Sequence, residues 1–152
     1  DGVMWDHRSA ADLPLAKQLA KHGLKLTRPR LAIVQVLSEY PGHLSTQEIW
    51  ERARSLYRPL GMATTFRTIH QMVLLGLLRP LPLGKGEQRY MVVRGGHHHH
   101  VICTHCGSMV ELPECPLVEL AEEVAASSGF RITGHLVEFF GLCRECQDIR
   151  ES

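Results

Sequence analysis

The sequence predicts an α+β chain in two parts, an N-terminal winged helix-turn-helix followed by a smaller C-terminal α/β domain. Three observations predict it. As far as Gly76, apolar residues recur at helical spacing between breaks at Gly23, Pro41-Gly42 and Pro59-Leu60-Gly61. Two short strand-like runs then flank Gly84-Lys85-Gly86, the pattern of a hairpin. Beyond Arg94-Gly95-Gly96 the composition changes, because all five cysteines and six of the ten histidines lie there.

The first ten residues carry no periodicity and are expected to be loosely held. Residues 13–22 place Leu15, Leu19 and Ala20 on one helical face. Thr27 can cap a second helix, with Pro29 tolerated in its first turn and Leu31, Ile33, Val34 and Leu37 as its apolar stripe. Ser45-Thr46-Gln47-Glu48 is a capping box opening a third helix, with Ile49, Ala53 and Leu56 on one side. Residues 63–75 read as a fourth, with Phe66, Ile69, Met72 and Val73 buried and Gly76 as its stop. Runs 77–83 and 88–93 complete the wing. The second to fourth helices and this hairpin make the winged helix-turn-helix, and helix 63–75 is the one expected to enter a major groove.

Residues 1–93 thus form one domain, 94–96 a hinge and 97–152 a second domain. In the second, 98–103 and 108–112 read as strands around a turn at Cys103. Residues 116–128 read as a helix with Leu117, Leu120, Val124 and Ala125 inward, and 130–140 alternate as a strand. So few large apolar groups make a thin core, which needs a metal staple or a partner subunit.

Composition is that of an ordinary globular chain, 44% hydrophobic and 22% charged. No apolar run reaches the ~18 residues of a membrane helix. The N-terminus lacks the charged start and apolar stretch of a secretory signal, so the expected location is the cytoplasm. Net charge is only +1. Its distribution is uneven: Lys17, Lys21, Lys25, Arg28, Arg30, Arg52, Arg54, Arg58 and Arg67 lie early. Glu111, Glu114, Glu119, Glu122, Glu123 and Glu138 lie late. That asymmetry suits a DNA-binding half joined to another domain, although solvated helix surfaces look the same.

Cys103-Thr104-His105-Cys106 and Cys143-Arg144-Glu145-Cys146 are two CxxC knuckles. Together they can give four thiolates to one tetrahedral Zn2+, a closed and therefore structural site; the rivals are a redox pair and a chance arrangement. Cys115 is the odd thiol, expected to be a small buried or half-buried residue and no fifth ligand. The run His97-His98-His99-His100 leads into a strand, so His98 and His100 point to one side and His97 and His99 to the other. One run can therefore serve two metal sites. If the halves fold together, His43, His98, His100 and Glu111 can meet as a mixed imidazole and carboxylate site for Fe, Mn, Zn or Ni.

From Leu15 to Cys146 the chain resembles the ferric uptake regulator (Fur) superfamily. The stretches GLKLTRPRLAIVQVL, HLSTQEIW, ATTFRTIHQM, HHHHVICTHCG, GFRITGH and FGLCREC carry the resemblance. It implies a homodimeric repressor that binds double-stranded AT-rich inverted repeats when metal-loaded, with the C-terminal half as dimerisation domain. Position by position, Cys103, Cys106, Cys143 and Cys146 fall on the structural zinc ligands. His43, His98, His100 and Glu111 fall on the regulatory site, and His97, His99 and His135 on a third site that only some members use. Phe66 and Arg67 fall on the recognition-helix pair usually written Tyr-Arg.

Two departures bear on the metal. Met91 stands where iron-sensing members usually carry a carboxylate, and a thioether is a poor ligand for Fe(II) or Mn(II). It also argues against peroxide sensing. Val118 stands where the third site often takes Glu, although a shifted register would bring neighbouring Glu119 there instead. The expected order is Fe2+ first, Zn2+ second, then Mn2+ or Ni2+. On the DNA side, Thr64, Thr65, Phe66, Arg67 and Thr68 are the candidate contacts of the reading helix. Lys25, Arg28 and Arg30, with Lys17, Lys21 and Lys85, are phosphate candidates that position without specifying. The rivals are a zinc hydrolase and a metal store. The first lacks an HExxH helix, a Gly-rich phosphate loop and a nucleophile with its base, so no enzyme activity and no small organic substrate are expected. The second leaves the winged helix unexplained.

Overall fold

The computed structural model describes residues 4–81, 83, 87–93, 99–135 and 137–150, without the side chains of 149 and 150. The expected hinge 94–96, wing tip Lys85 and ligands His97 and His98 lie outside the described residues. Two compact units divide the chain, Asp1–Pro82 with Gly86–Val93, and Leu83–Lys85 with Arg94–Ser152.

The first unit runs α1 (His7–Ala10), α2 (Pro14–Lys21), α3 (Arg28–Glu39), β1 (His43–Ser45), α4 (Thr46–Leu56), α5 (Met62–Leu74), β2 (Leu78–Leu81) and β3 (Arg89–Val92). The expected caps form. Thr27 Oγ1 accepts from Arg30 N at 3.4 Å. Ser45 Oγ accepts from Glu48 N at 3.1 Å while Glu48 Oε1 accepts from Ser45 N at 3.3 Å, which satisfies two orphan donors at once. Gly76, at φ +75°, ends α5. There Leu77 N donates to Met72 O and Gly76 N to Val73 O, a Schellman stop that a side chain at Gly76 would strain. The helices bury Leu19, Ile33, Leu44, Ile49, Ile69, Met72 and Leu78 almost completely.

Three differences from the sequence reading have physical causes. Among the described residues of this stretch, Asp6 caps α1 by accepting from Arg8 N at 3.0 Å, and Ala10 is fully buried, so they are not loosely held. A four-residue helix is too short to display a period. A strand at His43–Ser45 joins the wing, giving an antiparallel sheet of order β1-β3-β2 with His43 opposite Met91. Phe66 is 56% exposed, because the buried side of α5 is Thr65, Thr68, Ile69 and Met72.

The second unit holds β4 (His99–Cys103), β5 (Met109–Leu112), α6 (Val118–Ser128), β6 (Phe139–Gly141) and α7 (Arg144–Arg150). Its sheet has order β5-β4-β6, antiparallel to β5 and parallel to β6. The strand expected over 130–140 shrinks to Phe139–Gly141, because only there does the backbone meet β4, Val101 pairing with Phe139 and Cys103 with Gly141. Leu120 and Val124, expected inward, are 52% and 45% exposed, and α6 buries none of its residues within one chain. Val110, Val101 and Phe139 stand side by side across the three strands, all exposed, so an apolar stripe is left open.

Candidate metal centres

Hydrogen bonds close the turn between β4 and β5: Cys103 N donates to Ser108 O, and Gly107 N to Cys103 O. This folds Cys103 and Cys106 onto one side. Thr104 N donates to Gly141 O, bringing the end of β6 alongside and with it Cys143 and, on α7, Cys146. The four sulfurs lie within 4.8 Å of one another, and Cys106 Sγ is 3.8 Å from Cys143 Sγ. Tetrahedral zinc with Zn–S bonds of ~2.3 Å puts its sulfurs about 3.8 Å apart. The set fits that ion.

The electrostatics agree. Backbone N–H groups of Cys106 and Cys143 point at Cys103 and hold its thiol down to about 5. Hydrogen bonding from Ser108 lowers Cys106 as well. Burial, together with the neighbouring thiols, pushes Cys146 up to about 12. Like charges so close cannot all form without a cation to share them.

A second cluster joins His99, Cys115 and His135. His99 Nε2 is 3.3 Å from Cys115 Sγ and 3.0 Å from His135 Nε2, and Cys115 Sγ is 3.3 Å from His135 Nε2. Cys115 is half-buried, as expected, and stands apart from the four-cysteine set. Its place beside two imidazoles is not legible from the sequence, where only an unpaired thiol is visible.

Of the expected regulatory ligands, His100 and Glu111 occupy one register position across β4 and β5. Glu138, which the sequence did not place beside these ligands, accepts from His100 N at 2.9 Å and sits 3.3 Å from its Nδ1. A carboxylate on one ring nitrogen orients the other, the usual support of a metal-binding histidine. His43 lies on β1 of the first unit. Arg89 Nε donates to His43 Nδ1 at 2.8 Å, and Arg89 also bridges Glu48 at 2.6 Å. Burial pushes Glu48 up, but hydrogen bonds from Arg89 and Ser45 outweigh it and hold its carboxyl below the usual value. Since a guanidinium only donates, His43 Nδ1 is the acceptor, and that lone pair must be released before it can bind an ion.

On α5, Phe66, Arg67 and His70 face solvent, with the Phe66 and His70 rings stacked at 6.4 Å and Arg67 Nη2 donating to Thr64 Oγ1 at 3.2 Å. Two expected DNA contacts are corrected here. Thr65 and Thr68 are buried, at 0% and 4% exposure, and their hydroxyls donate to Gly61 O and Thr64 O one turn back. The helical period carries them to the core side while their neighbours point outward. Lys25 and Arg28 are exposed. Arg30 is half-buried and tied to Lys25 O at 2.7 Å and Gln71 Oε1 at 3.4 Å, so it braces α3 against α5.

The sequence profile of the Ferric uptake regulator family matches residues 21–140. The chain belongs to the ferric uptake regulator family. It is 33% identical to the Ferric uptake regulation protein of Escherichia coli K12 over 134 residues, 88% of this chain and 90% of that one. To the protein of the same name from Neisseria gonorrhoeae it is 30% identical over 131 residues, 86% and 91% of the two chains. The solved Helicobacter pylori ferric uptake regulator, described as having three functional metal binding sites, covers 97% of both chains at 26% identity and TM-score 0.65. Ferric uptake regulators are metal-binding transcriptional regulators rather than enzymes, which removes the hydrolase reading. Among the described residues, no helix is long and apolar enough to cross a membrane.

Proposed function

We propose that the chain is a cytoplasmic, Fe2+-responsive repressor that binds AT-rich inverted-repeat DNA as a homodimer. The observation that carries this reading is the outward face of α5. There Phe66, Arg67 and His70 stand free of the core while Thr65 and Thr68 lock the helix from behind. Arg67 is the base or phosphate contact, and Lys25 and Arg28 meet phosphates. The apolar stripe Val110, Val101 and Phe139, with Leu120 and Val124 of α6, is the surface a second copy covers.

Cys103, Cys106, Cys143 and Cys146 hold structural Zn2+. His43, His98, His100 and Glu111 take the regulatory ion. The shared register of His100 with Glu111, and the Glu138 carboxylate behind His100, support that assignment. An ion bound by this set supplies a preference for the conformer that keeps these four side chains together, and so shifts the population. His43 contributes by surrendering its bond from Arg89.

A second reading, Zn2+ as the sensed ion, is favoured by Met91. It is 5% exposed and pairs with His43 across β1 and β3, at the place where a carboxylate would favour iron. Without that carboxylate the set has four donors, which suits tetrahedral zinc. The test is fluorescence anisotropy of an AT-rich inverted-repeat duplex, with structural zinc retained, under buffered Fe2+, Mn2+, Zn2+ or Ni2+ and under chelator. Binding switched on by Fe2+ is the expected result. Switching by Zn2+ alone establishes the second reading, and no binding under any metal refutes the repressor.

A further inference from the structure

We propose that His99, Cys115 and His135 form a metal site whose sulfur donor selects zinc-class divalent cations over Fe2+ and Mn2+. This goes beyond the repressor reading and does not depend on it. The resemblance supplies a third site of histidines with an oxygen ligand; the thiolate is what this structure adds.

The geometry is close to what such an ion requires. With Zn–N bonds of ~2.0–2.1 Å and Zn–S of ~2.3 Å, tetrahedral angles separate two nitrogens by about 3.3 Å and a nitrogen from a sulfur by about 3.6 Å. The observed separations are 3.0 Å between the two Nε2 atoms and 3.3 Å from each to Cys115 Sγ. The donors converge from three segments of the unit and need to part by only about 0.3 Å to admit the ion.

The protonation pattern fits too. His99 Nδ1 lies 3.1 Å from Val137 O. A carbonyl only accepts, so Nδ1 carries a proton, and Nε2 is the nitrogen turned into the cluster. His135 is stacked on it, ring centroids 4.9 Å apart and planes 11° from parallel, with its own Nε2 toward the same point. The Cys115 thiol can donate its proton to one of these nitrogens and not to both. On binding, the thiol proton leaves to solvent as the sulfur–metal bond forms, and charge is conserved.

Burial and donor chemistry set the class of ion. His99 is 2% exposed, while Cys115 and His135 are half-buried, which leaves an approach for the ion. Two imidazoles and a thiolate suit Zn2+ or Co2+, whereas Fe2+ and Mn2+ favour oxygen-rich sets. Val118 provides no carboxylate here, and Cys115 stands three residues before it in the loop ahead of α6.

The test uses the full chain with its four-cysteine site filled, one retained zinc per chain being confirmed by native mass spectrometry, and then titrated with Co2+. The chain has five cysteines. With four held by zinc, Cys115 is the one thiol left to produce a sulfur-to-cobalt charge-transfer band in the near ultraviolet. That band is expected in the wild-type protein, and a large excess of Mn2+ should not remove it. Cys115→Ser should abolish the band and weaken cobalt binding there by about 100-fold or more, beyond the ~10–100-fold that loss of an outer-shell partner costs. His135→Gln should also weaken it, with the circular dichroism spectrum unchanged in both variants. Cobalt bound without a sulfur band, a band that survives Cys115→Ser, or displacement by Mn2+ would each overturn the proposal. No DNA enters this assay, so its failure leaves the repressor reading standing.

Discussion

Removing zinc from the four-cysteine site should unfold the second unit and leave the first intact. Among the described residues, the nearly buried side chains of the second unit are His99, Ile102, Cys103 and Cys146, two of them thiols of the four-cysteine set. Burying an aliphatic side chain such as Ile102 contributes ~1.5–3 kcal/mol. Ordering the backbone opposes this by ~1–2 kcal/mol per residue. A core of that size cannot hold β4, β6 and α7 in place. A structural zinc contributes an apparent ~10–16 kcal/mol near neutral pH, enough to decide the balance. The first unit buries Leu19, Ile33, Leu44, Ile49, Ile69, Met72 and Leu78 almost completely, a core of its own. The perturbation is a strong chelator or Cys146→Ser, and the assay is hydrogen exchange by mass spectrometry alongside a zinc count. Amides of β4 and β6 should lose protection as zinc leaves, while those of α3, α4 and α5 keep theirs. Protection of β4 persisting at zero zinc would refute the argument.

Other perturbations separate the remaining roles. Arg67→Ala should weaken specific duplex binding by ~1–3 kcal/mol in an anisotropy titration without moving the melting temperature. Thr65→Val should do the reverse, costing about 1 kcal/mol of stability through its lost hydroxyl bond to Gly61 O and leaving DNA affinity unchanged. Val110→Glu puts a charge in the middle of the exposed stripe and should give monomers in sedimentation velocity; an unchanged dimer places the interface elsewhere. Ser45→Ala removes the capping box, and denaturant melts should register a loss of ~0.5–2 kcal/mol at constant slope.

How much was legible depended on whether the signal was local. The caps at Thr27 and Ser45 and the stop at Gly76 are short-range hydrogen-bonding devices, and they stand where the sequence places them. Helical periods located α2 to α6 to within a few residues but not the short α1 and α7, and on α5 they placed Ile69 and Met72 in the core correctly while putting Phe66 there and Thr65 and Thr68 outside it. Phe66 reads as core by hydropathy, whereas Thr65 and Thr68 read as polar contacts. Their hydroxyls are satisfied by carbonyls within the helix itself, which lets them be buried without penalty. Exposure of Leu120 and Val124 was invisible for another reason: an apolar face does not say whether its cover comes from the same chain or from a second copy.

By itself the sequence determined the two-part organisation, the winged helix-turn-helix and the paired CxxC spacing, because each rests on residues close together in the chain. Tertiary structure alone decided which distant groups meet. The parallel pairing of β4 with β6 brings Glu138 to His100, and the Arg89–His43 bond follows from the antiparallel pairing of β1 with β3. The meeting of His99, Cys115 and His135 depends on three segments converging. Strand pairing and loop closure join residues tens of positions apart, through contacts that leave no period or motif in the sequence.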